Sequence, residues 1–197
     1  MMKKLTAIIL CAALMLTLTG CLGDGSVKHP SVMSDGASWD GSWTGMGGYL
    51  GVEQPEGDFL LLTTNGDLDG VDLHYATWIA GEETELEDGA YAYDCQLYLM
   101  TEDCGVSEDA LDTMQLWREQ IGEGFSVTEE RTYSANGVEF TLVFYDCLDE
   151  DSHFNSGVTA MGVWKSVVIV ADLGKTADFD LDLTAVIEDF LNGFHYA

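Results

Sequence analysis

Residues 125–147 read FSVTEERTYSANGVEFTLVFYDC, two β-rich runs that meet at Asn136-Gly137. An Asn-Gly pair between two such runs is the strongest short-range signal for a hairpin, because the tight turn that matches the strand twist needs positive φ at both central residues. We therefore expect strands over residues 125–133 and 138–147 that pair antiparallel across this turn.

Further strands are predicted on both sides of this hairpin. The run from Val71 to Ile79 alternates between apolar and other residues, as a strand with one buried face does. The run from Val167 to Ala171 is continuously apolar, which is typical of a strand buried on both faces. Together with turn residues, the pattern predicts strands over residues 49–52, 59–64, 71–79, 95–100, 158–163 and 167–171.

Two helices interrupt the strands. Ser107 is the expected N-cap of the first helix, whose apolar stripe is Ala110, Met114, Trp117 and Ile121. Asp182 is the expected N-cap of the second, whose stripe is Leu183, Val186, Ile187, Phe190 and Leu191. Because the helices are few and the hairpins several, the sequence predicts an α+β fold, an antiparallel sheet with both helices gathered over one face.

The N-terminus has the pattern of an export signal. Lys3 and Lys4 precede an apolar run, residues 5–18, which is too short for a membrane-spanning helix and of ordinary length for a signal-peptide core. Leu18-Thr19-Gly20-Cys21 then resembles the lipobox of bacterial lipoproteins. The resemblance implies removal of residues 1–20, diacylglyceryl attachment at Cys21 and a lipid anchor on the extracytoplasmic face of a membrane. The alternative is a plain secretory signal in which Cys21 is incidental.

Residues 21–48 are rich in Gly and Ser and have no sustained apolar period, so we expect a flexible tether that leads to one domain over residues 49–197. Trp39 and Trp43 interrupt this polar stretch. They fit either a stacking or docking platform or, more often in proteins, side chains that fold back to cover a sheet edge.

The chain is strongly acidic, with 35 Asp and Glu against 7 Lys and Arg and a formal net charge of −28. Without Lys3 and Lys4 the mature chain would carry −30. Such a charge repels phosphate backbones, which excludes nucleic acid as a partner, and attracts cationic ligands and basic protein surfaces. Solubility alone also explains this charge and is the more common reason for it.

The cysteines permit one disulfide at most, because Cys95, Cys104 and Cys147 remain once Cys11 leaves with the leader and Cys21 takes lipid. The sequence selects no pair among them, and three reduced cysteines explain the same number. The absence of a C-x-x-C pair argues against a zinc site.

The segment NGDLDGVD (65–72) resembles the first half of an EF-hand or dockerin calcium loop, with oxygen side chains at the alternate positions 65, 67 and 69, and it makes Asp67, Asp69 and Asp72 candidate calcium ligands. Ala76 stands where a closing bidentate carboxylate is needed, so an ordinary hairpin turn is the competing interpretation. Asp149, Glu150 and Asp151 form a second acidic loop, beside which His153 is a weak candidate for a general base. No hydrolase motif is present, which favours a non-catalytic protein that binds a partner over an envelope enzyme assembled from dispersed residues.

Three segments resemble the Mog1/PsbP fold and its small bacterial lipoproteins: GYLGVEQPEG (48–57), GVEF (137–140) and VIEDFLNGF (186–194). The resemblance covers residues 48–197. It implies a sandwich of α-β-α type that is used for protein contacts and carries no catalytic residues.

Overall fold

The computed structural model describes residues 36–37, 41–45, 50–64, 73–86, 91–149 and 152–196. The leader, Cys21, Trp39 and the calcium candidates Asp67, Asp69 and Asp72 lie outside these ranges, so those predictions stand as made. The strands are β1 (Gly36–Ala37), β2 (Trp43–Gly45), β3 (Leu50–Val52), β4 (Leu60–Thr64), β5 (Leu73–Glu85), β6 (Tyr91–Asp103), β7 (Phe125–Ala135), β8 (Val138–Cys147), β9 (Ser156–Trp164), β10 (Val167–Lys175) and β11 (Phe194–Tyr196). The helices are α1 (Ser107–Gly124) and α2 (Leu183–Asn192).

Two antiparallel sheets are formed by these strands. The larger has seven strands in the order β4-β5-β6-β10-β9-β8-β7, and the smaller has four in the order β1-β2-β3-β11. The long neighbours β6 and β10 occupy the middle of the large sheet, where Val167 to Lys175 pair continuously with residues 95–103. The predicted antiparallel α+β class is confirmed.

The two helices lie on opposite faces of the large sheet, and the prediction that both gather over one face is wrong. One core joins Ile169 and Ala171 of β10 to α2 and the small sheet. The other joins Val168 and Val170 of β10 to α1. Because successive residues of this strand are apolar on both sides, each face needs its own cover, which gives a layered sandwich.

Helix α1 begins without the predicted cap. Val106 occupies the N-cap position with extended backbone and gives no side-chain cap, while Ser107 is already helical. The predicted stripe is nevertheless the packed face, with Ala110 and Ile121 buried and Met114 and Trp117 packed against the core.

Helix α2 follows its prediction closely. The Asp182 carboxylate accepts a hydrogen bond of 3.1 Å from the Ala185 amide, as an N-cap does. Ile187, Phe190 and Leu191 are buried. The Phe190 ring meets Trp78 of β5 edge-on, with ring centroids 5.2 Å apart, which ties the helix to the large sheet.

The small sheet begins inside the range that the sequence suggests as a tether. Trp43 on β2 has no exposed surface and joins the core beneath α2. Strand β2 pairs with β3, and β3 pairs with β11 near the C-terminus. Trp43 therefore covers the core, as the second of the two alternatives for this residue expects.

The Asn136-Gly137 turn is confirmed, with φ of 49° and 82°. The Asn136 side chain also leaves the turn, because its Nδ2 donates to the carbonyl oxygens of Asn192 (2.8 Å) and Phe194 (2.6 Å). This hairpin therefore clamps the end of α2 and the start of β11. Lys165, in the turn between β9 and β10, is the other residue apart from glycine with positive φ among those described, at 56°.

Candidate functional site

All four basic residues of the described ranges are engaged by the chain itself. Arg118 pairs with Glu130, and Arg131 pairs with Glu188 at 2.7 Å and with Glu129 at 3.2 Å. Glu188 is thus a half-buried ion-pair partner on α2.

The two lysines are held in other ways. Lys165 Nζ lies 4.2 Å from the centroid of the Trp164 ring, and Lys175 Nζ donates to the Phe179 carbonyl oxygen at 2.7 Å. The positive charge of the described surface is therefore placed beside the protein's own groups, and most carboxylates of the described residues have no Lys or Arg partner among those residues.

The β5–β6 hairpin extends beyond its neighbours as an acidic arm, which we define as residues 81–94. Strand β4 pairs with β5 only as far as Ile79, and β10 pairs with β6 only as far as Cys95. Beyond these points β5 and β6 pair only with each other among the described strands. Glu82, Glu83 and Glu85 are exposed on the arm, whose sequence contains no Lys or Arg.

A bulge at Gly81 gives the base of the arm its shape. Gly81 has φ of 86°, and a Cβ there would lie 2.5 Å from the Asp94 side chain. The Asp94 carboxylate instead accepts the Glu82 amide at 2.8 Å. Nearby, the Tyr93 hydroxyl donates to Glu83 at 2.5 Å, and desolvation together with the Glu83 charge raises the pKa of Tyr93 to about 12. The base is therefore held by contacts among its own residues, and the Asp94 carbonyl oxygen also accepts a hydrogen bond of 2.8 Å from the Thr176 amide.

A polar band crosses the face of the large sheet that carries α1. Thr77, Tyr98, Asp172 and Thr159 stand directly opposite one another on β5, β6, β10 and β9. Thr77 and Thr159 are buried, and the Thr77 hydroxyl has no hydrogen-bond partner in the described part of the chain. Buried polar side chains in a row depart from the apolar pattern of a sheet core, and such departures mark candidate sites.

Asp172 is the centre of this band. Its Oδ1 accepts hydrogen bonds from the Thr159 hydroxyl at 2.6 Å and the Tyr145 hydroxyl at 3.0 Å. Both donors use the same oxygen, Oδ1, and Asp172 as a whole residue keeps part of its surface exposed. Desolvation raises the pKa of Asp172 above its usual value, while the bonds from Thr159 and Tyr145 act in the opposite direction.

Tyr145 reaches Asp172 across a glycine. A Cβ at Gly157 would lie 2.5 Å from the Tyr145 hydroxyl oxygen and 2.6 Å from the Leu173 carbonyl oxygen, so only glycine leaves room for the phenol. The Phe125 ring packs on Tyr145 with centroids 4.3 Å apart. Burial, followed by the charge of Asp172, raises the pKa of Tyr145 well above its usual range. The phenol is therefore a fixed neutral donor.

Among the described residues, the two histidines that the sequence singles out lie on separate elements. His153 Nε2 lies 2.8 Å from the Tyr93 carbonyl oxygen, where it ties the loop after β8 to the arm. Glu150 and Asp151 lie outside the described ranges, and residues 36–149 and 152–196, where described, contain no cluster of three metal-binding side chains. His74 is half-buried on β5.

The three remaining cysteines are free thiols in the structure. Cys95 is buried, and desolvation raises its pKa to about 12. Cys104 and Cys147 are half-buried, and burial raises the pKa of both. Of the two alternatives left open by the sequence, the described residues show three reduced cysteines, and none of them has the lowered pKa of a nucleophile.

Sequence reasoning did not find Asp172, Thr159 or Tyr145. The available signal was Asp172 itself, an acid that follows the apolar run from Val167 to Ala171 and precedes the buried Leu173. The predicted strand ended at residue 171, before this acid, whereas β10 continues to Lys175.

The fold and the band define an α+β protein in which one antiparallel sheet lies between two layers, with the half-buried carboxylate of Asp172 on the sheet. No protein-family model and no curated protein matches the chain. Among solved structures it is similar to cyanobacterial PsbP (CyanoP) from Synechocystis, with 12% identity and a TM-score of 0.48, over 90% of this chain and 100% of that chain. In the described ranges no helix is long and apolar enough to cross a membrane.

Proposed function

We propose that this protein is a membrane-anchored surface lipoprotein without catalytic activity, which binds a protein partner or a cationic ligand at the cell envelope. The Leu18-Thr19-Gly20-Cys21 pattern supports the anchor, because a diacylglyceryl group at Cys21 would supply the two acyl chains that stable membrane attachment needs. Palmitate is an acyl chain that such a group can carry.

The acidic arm is the observation that carries the binding proposal. Its carboxylates project beyond the neighbouring strands, whereas every described Lys and Arg is engaged elsewhere in the chain. A surface of one sign attracts a partner of the opposite sign and speeds its association, in a manner that added salt weakens. The partner expected for this arm is therefore a basic protein segment.

The anchor is tested by metabolic labelling with a fatty acid. Cys21→Ala should abolish incorporation of the label, and Cys104→Ala, which changes a half-buried thiol of the domain, should leave it intact. Equal labelling of the Cys21→Ala variant and the parent would refute the lipoprotein assignment.

The arm is tested with an oligolysine peptide as the probe. The triple variant E82Q/E83Q/E85Q removes three charges from the arm, and E108Q/D109N/D112N removes three exposed charges from α1. The Glu83→Gln change keeps a side-chain oxygen that can accept the Tyr93 hydroxyl. We expect the arm variant to weaken binding several-fold more than the α1 variant at equal ionic strength. Equal losses in the two variants would show that the charge acts diffusely and that the arm is no docking surface.

A further inference from the structure

We propose that the Asp172 carboxylate is the anchor of a recessed site for one organic ammonium group, such as the end of a lysine side chain. This inference rests on the proposed function, because it names the chemical group of a cationic ligand. It concerns the sheet face that carries α1 and uses no residue of the acidic arm.

The two carboxylate oxygens of Asp172 have different surroundings. The Thr159 and Tyr145 hydroxyls both donate to Oδ1, which fixes the carboxylate in one orientation. Neither donor uses Oδ2, and the residue is half-buried, so part of its surface is exposed. A carboxylate that is held by one oxygen and open at the other can accept a charge-assisted hydrogen bond from a donor that approaches from outside.

The rest of the band is more deeply buried than the carboxylate. Thr77, Tyr98, Thr159 and Tyr145 expose between 1% and 9% of their surface, whereas Asp172 is half-buried. Asp172 is thus the member of the band that keeps part of its surface exposed. Desolvation is the largest influence on its pKa, which agrees with a position in a recess.

The aromatic surroundings favour an organic cation. Tyr98 stands directly opposite Asp172 on β6, and Tyr145 is bonded to its carboxylate. Phe154 packs over Gly174, two residues along the same face of β10. Aromatic rings beside a carboxylate attract ammonium groups through the face of the ring. Calcium instead takes six to eight oxygen ligands, often from several carboxylates, and this recess offers one carboxylate.

The site is tested by titrating the full protein, purified after processing in the cell, with n-butylammonium chloride. A titration with sodium chloride at the same ionic strength is the control. Binding is followed by the NMR shifts of the β9 and β10 amides. Asp172→Asn keeps an acceptor for both hydroxyls and removes the charge. We expect this variant to lose affinity at least roughly tenfold, since a hydrogen bond to a charged group contributes that much. Asp146→Asn, which removes an exposed carboxylate from the same end of β8, should bind as the parent does.

A pH titration of the parent tests the site even if Asp172→Asn fails to fold. The titratable groups that face Asp172 are Tyr98 on β6 and Tyr145 and Cys147 on β8, and burial raises the pKa of all three, so they remain neutral below pH 7. His153 on the loop after β8 is held at the Tyr93 carbonyl. Affinity for n-butylammonium should rise with pH as Asp172 ionises. A flat profile in the parent would overturn the site.

The outcomes separate the site from the arm. Equal affinity of Asp172→Asn and the parent, or an equal loss in Asp146→Asn, overturns the ammonium site and leaves oligolysine binding by the arm untouched. A different outcome supports the ammonium site and rejects the arm. In that outcome only Asp172→Asn loses n-butylammonium binding, and the arm variant binds oligolysine as tightly as the parent does.

Discussion

Substitution by glycine should destabilise the protein at one of the two described non-glycine residues with positive φ and leave its stability nearly unchanged at the other. Asn136 and Lys165 have φ of 49° and 56°, a region that favours glycine and costs other residues about 1 kcal/mol or more. Glycine relieves this cost, and the greater freedom of glycine in the unfolded chain offsets roughly 0.5–1 kcal/mol of the gain. Backbone terms alone thus predict a small effect at both positions.

The side chains decide the difference. Asn136→Gly removes both hydrogen bonds of the clamp, to Asn192 and Phe194, at about 0.5–1.5 kcal/mol each. We therefore expect a loss of about 1–3 kcal/mol in the free energy of unfolding. Lys165→Gly removes an exposed contact with Trp164 that contributes about 0.5–1 kcal/mol, so its net change should lie within about 1 kcal/mol of zero.

Urea unfolding of both variants measures the contrast, with the m-value as a check that the unfolded state is unchanged. Asn136→Asp provides a further control, because its side chain tolerates positive φ but a carboxylate cannot donate to the two carbonyl oxygens. If Asn136→Gly unfolds at the same urea concentration as the parent, the clamp contributes nothing and the turn alone explains Asn136.

Three other predictions concern the core, the recessed carboxylate and calcium. Phe190→Ala should cost about 3–5 kcal/mol in urea unfolding, since the ring is buried against Trp78 and Phe194, whereas Leu111→Ala at an exposed position of α1 should be nearly silent. Because burial raises the pKa of Asp172, the folded chain keeps this proton to higher pH than the unfolded chain, so its contribution favours folding at low pH and is lost as pH rises through the raised pKa. The melting temperature, measured at a series of pH values from 3 to 8, should therefore fall less steeply with pH for Asp172→Asn than for the parent. Parallel pH profiles of the two proteins would contradict the raised pKa of Asp172. If Asp67, Asp69 and Asp72 bind calcium weakly, calcium should raise the melting temperature more than magnesium at fixed ionic strength, and Asp67→Asn with Asp69→Asn should remove the difference; equal shifts would indicate a diffuse ion atmosphere.

The local features of the fold could largely be predicted from the sequence. Asn136-Gly137 predicted its hairpin because the turn chemistry is local, and Asp182 predicted the start of α2 because a cap acts within one turn. The face of the sheet on which each helix packs could not be predicted from the sequence. The two-sided apolar run of β10 showed that both faces are buried, but residues distant in sequence decide which helix covers which face.

The candidate site could not be predicted from the sequence for the same reason. Tyr145, Thr159 and Asp172 lie on three neighbouring strands and meet only when the register is set. Nothing in their spacing along the chain reports that register. Asn136 shows the same limit on a smaller scale, because its turn is local but its hydrogen bonds reach residues 56 and 58 positions away.

The arm also divides strands β5 and β6 into two halves of different stability. From Ala76 to Ile79 on β5 and from Cys95 to Asp103 on β6 a further strand lies alongside, whereas from Glu83 to Glu85 and from Tyr91 to Tyr93 the two strands pair only with each other. A two-stranded ribbon by itself is marginally stable in water, so the outer half should open without unfolding the sheet. The rate of amide hydrogen exchange should therefore rise abruptly toward the arm along each strand, near Ala80 on β5 and near Cys95 on β6. A partner that binds the arm should slow exchange in the arm before it slows exchange elsewhere.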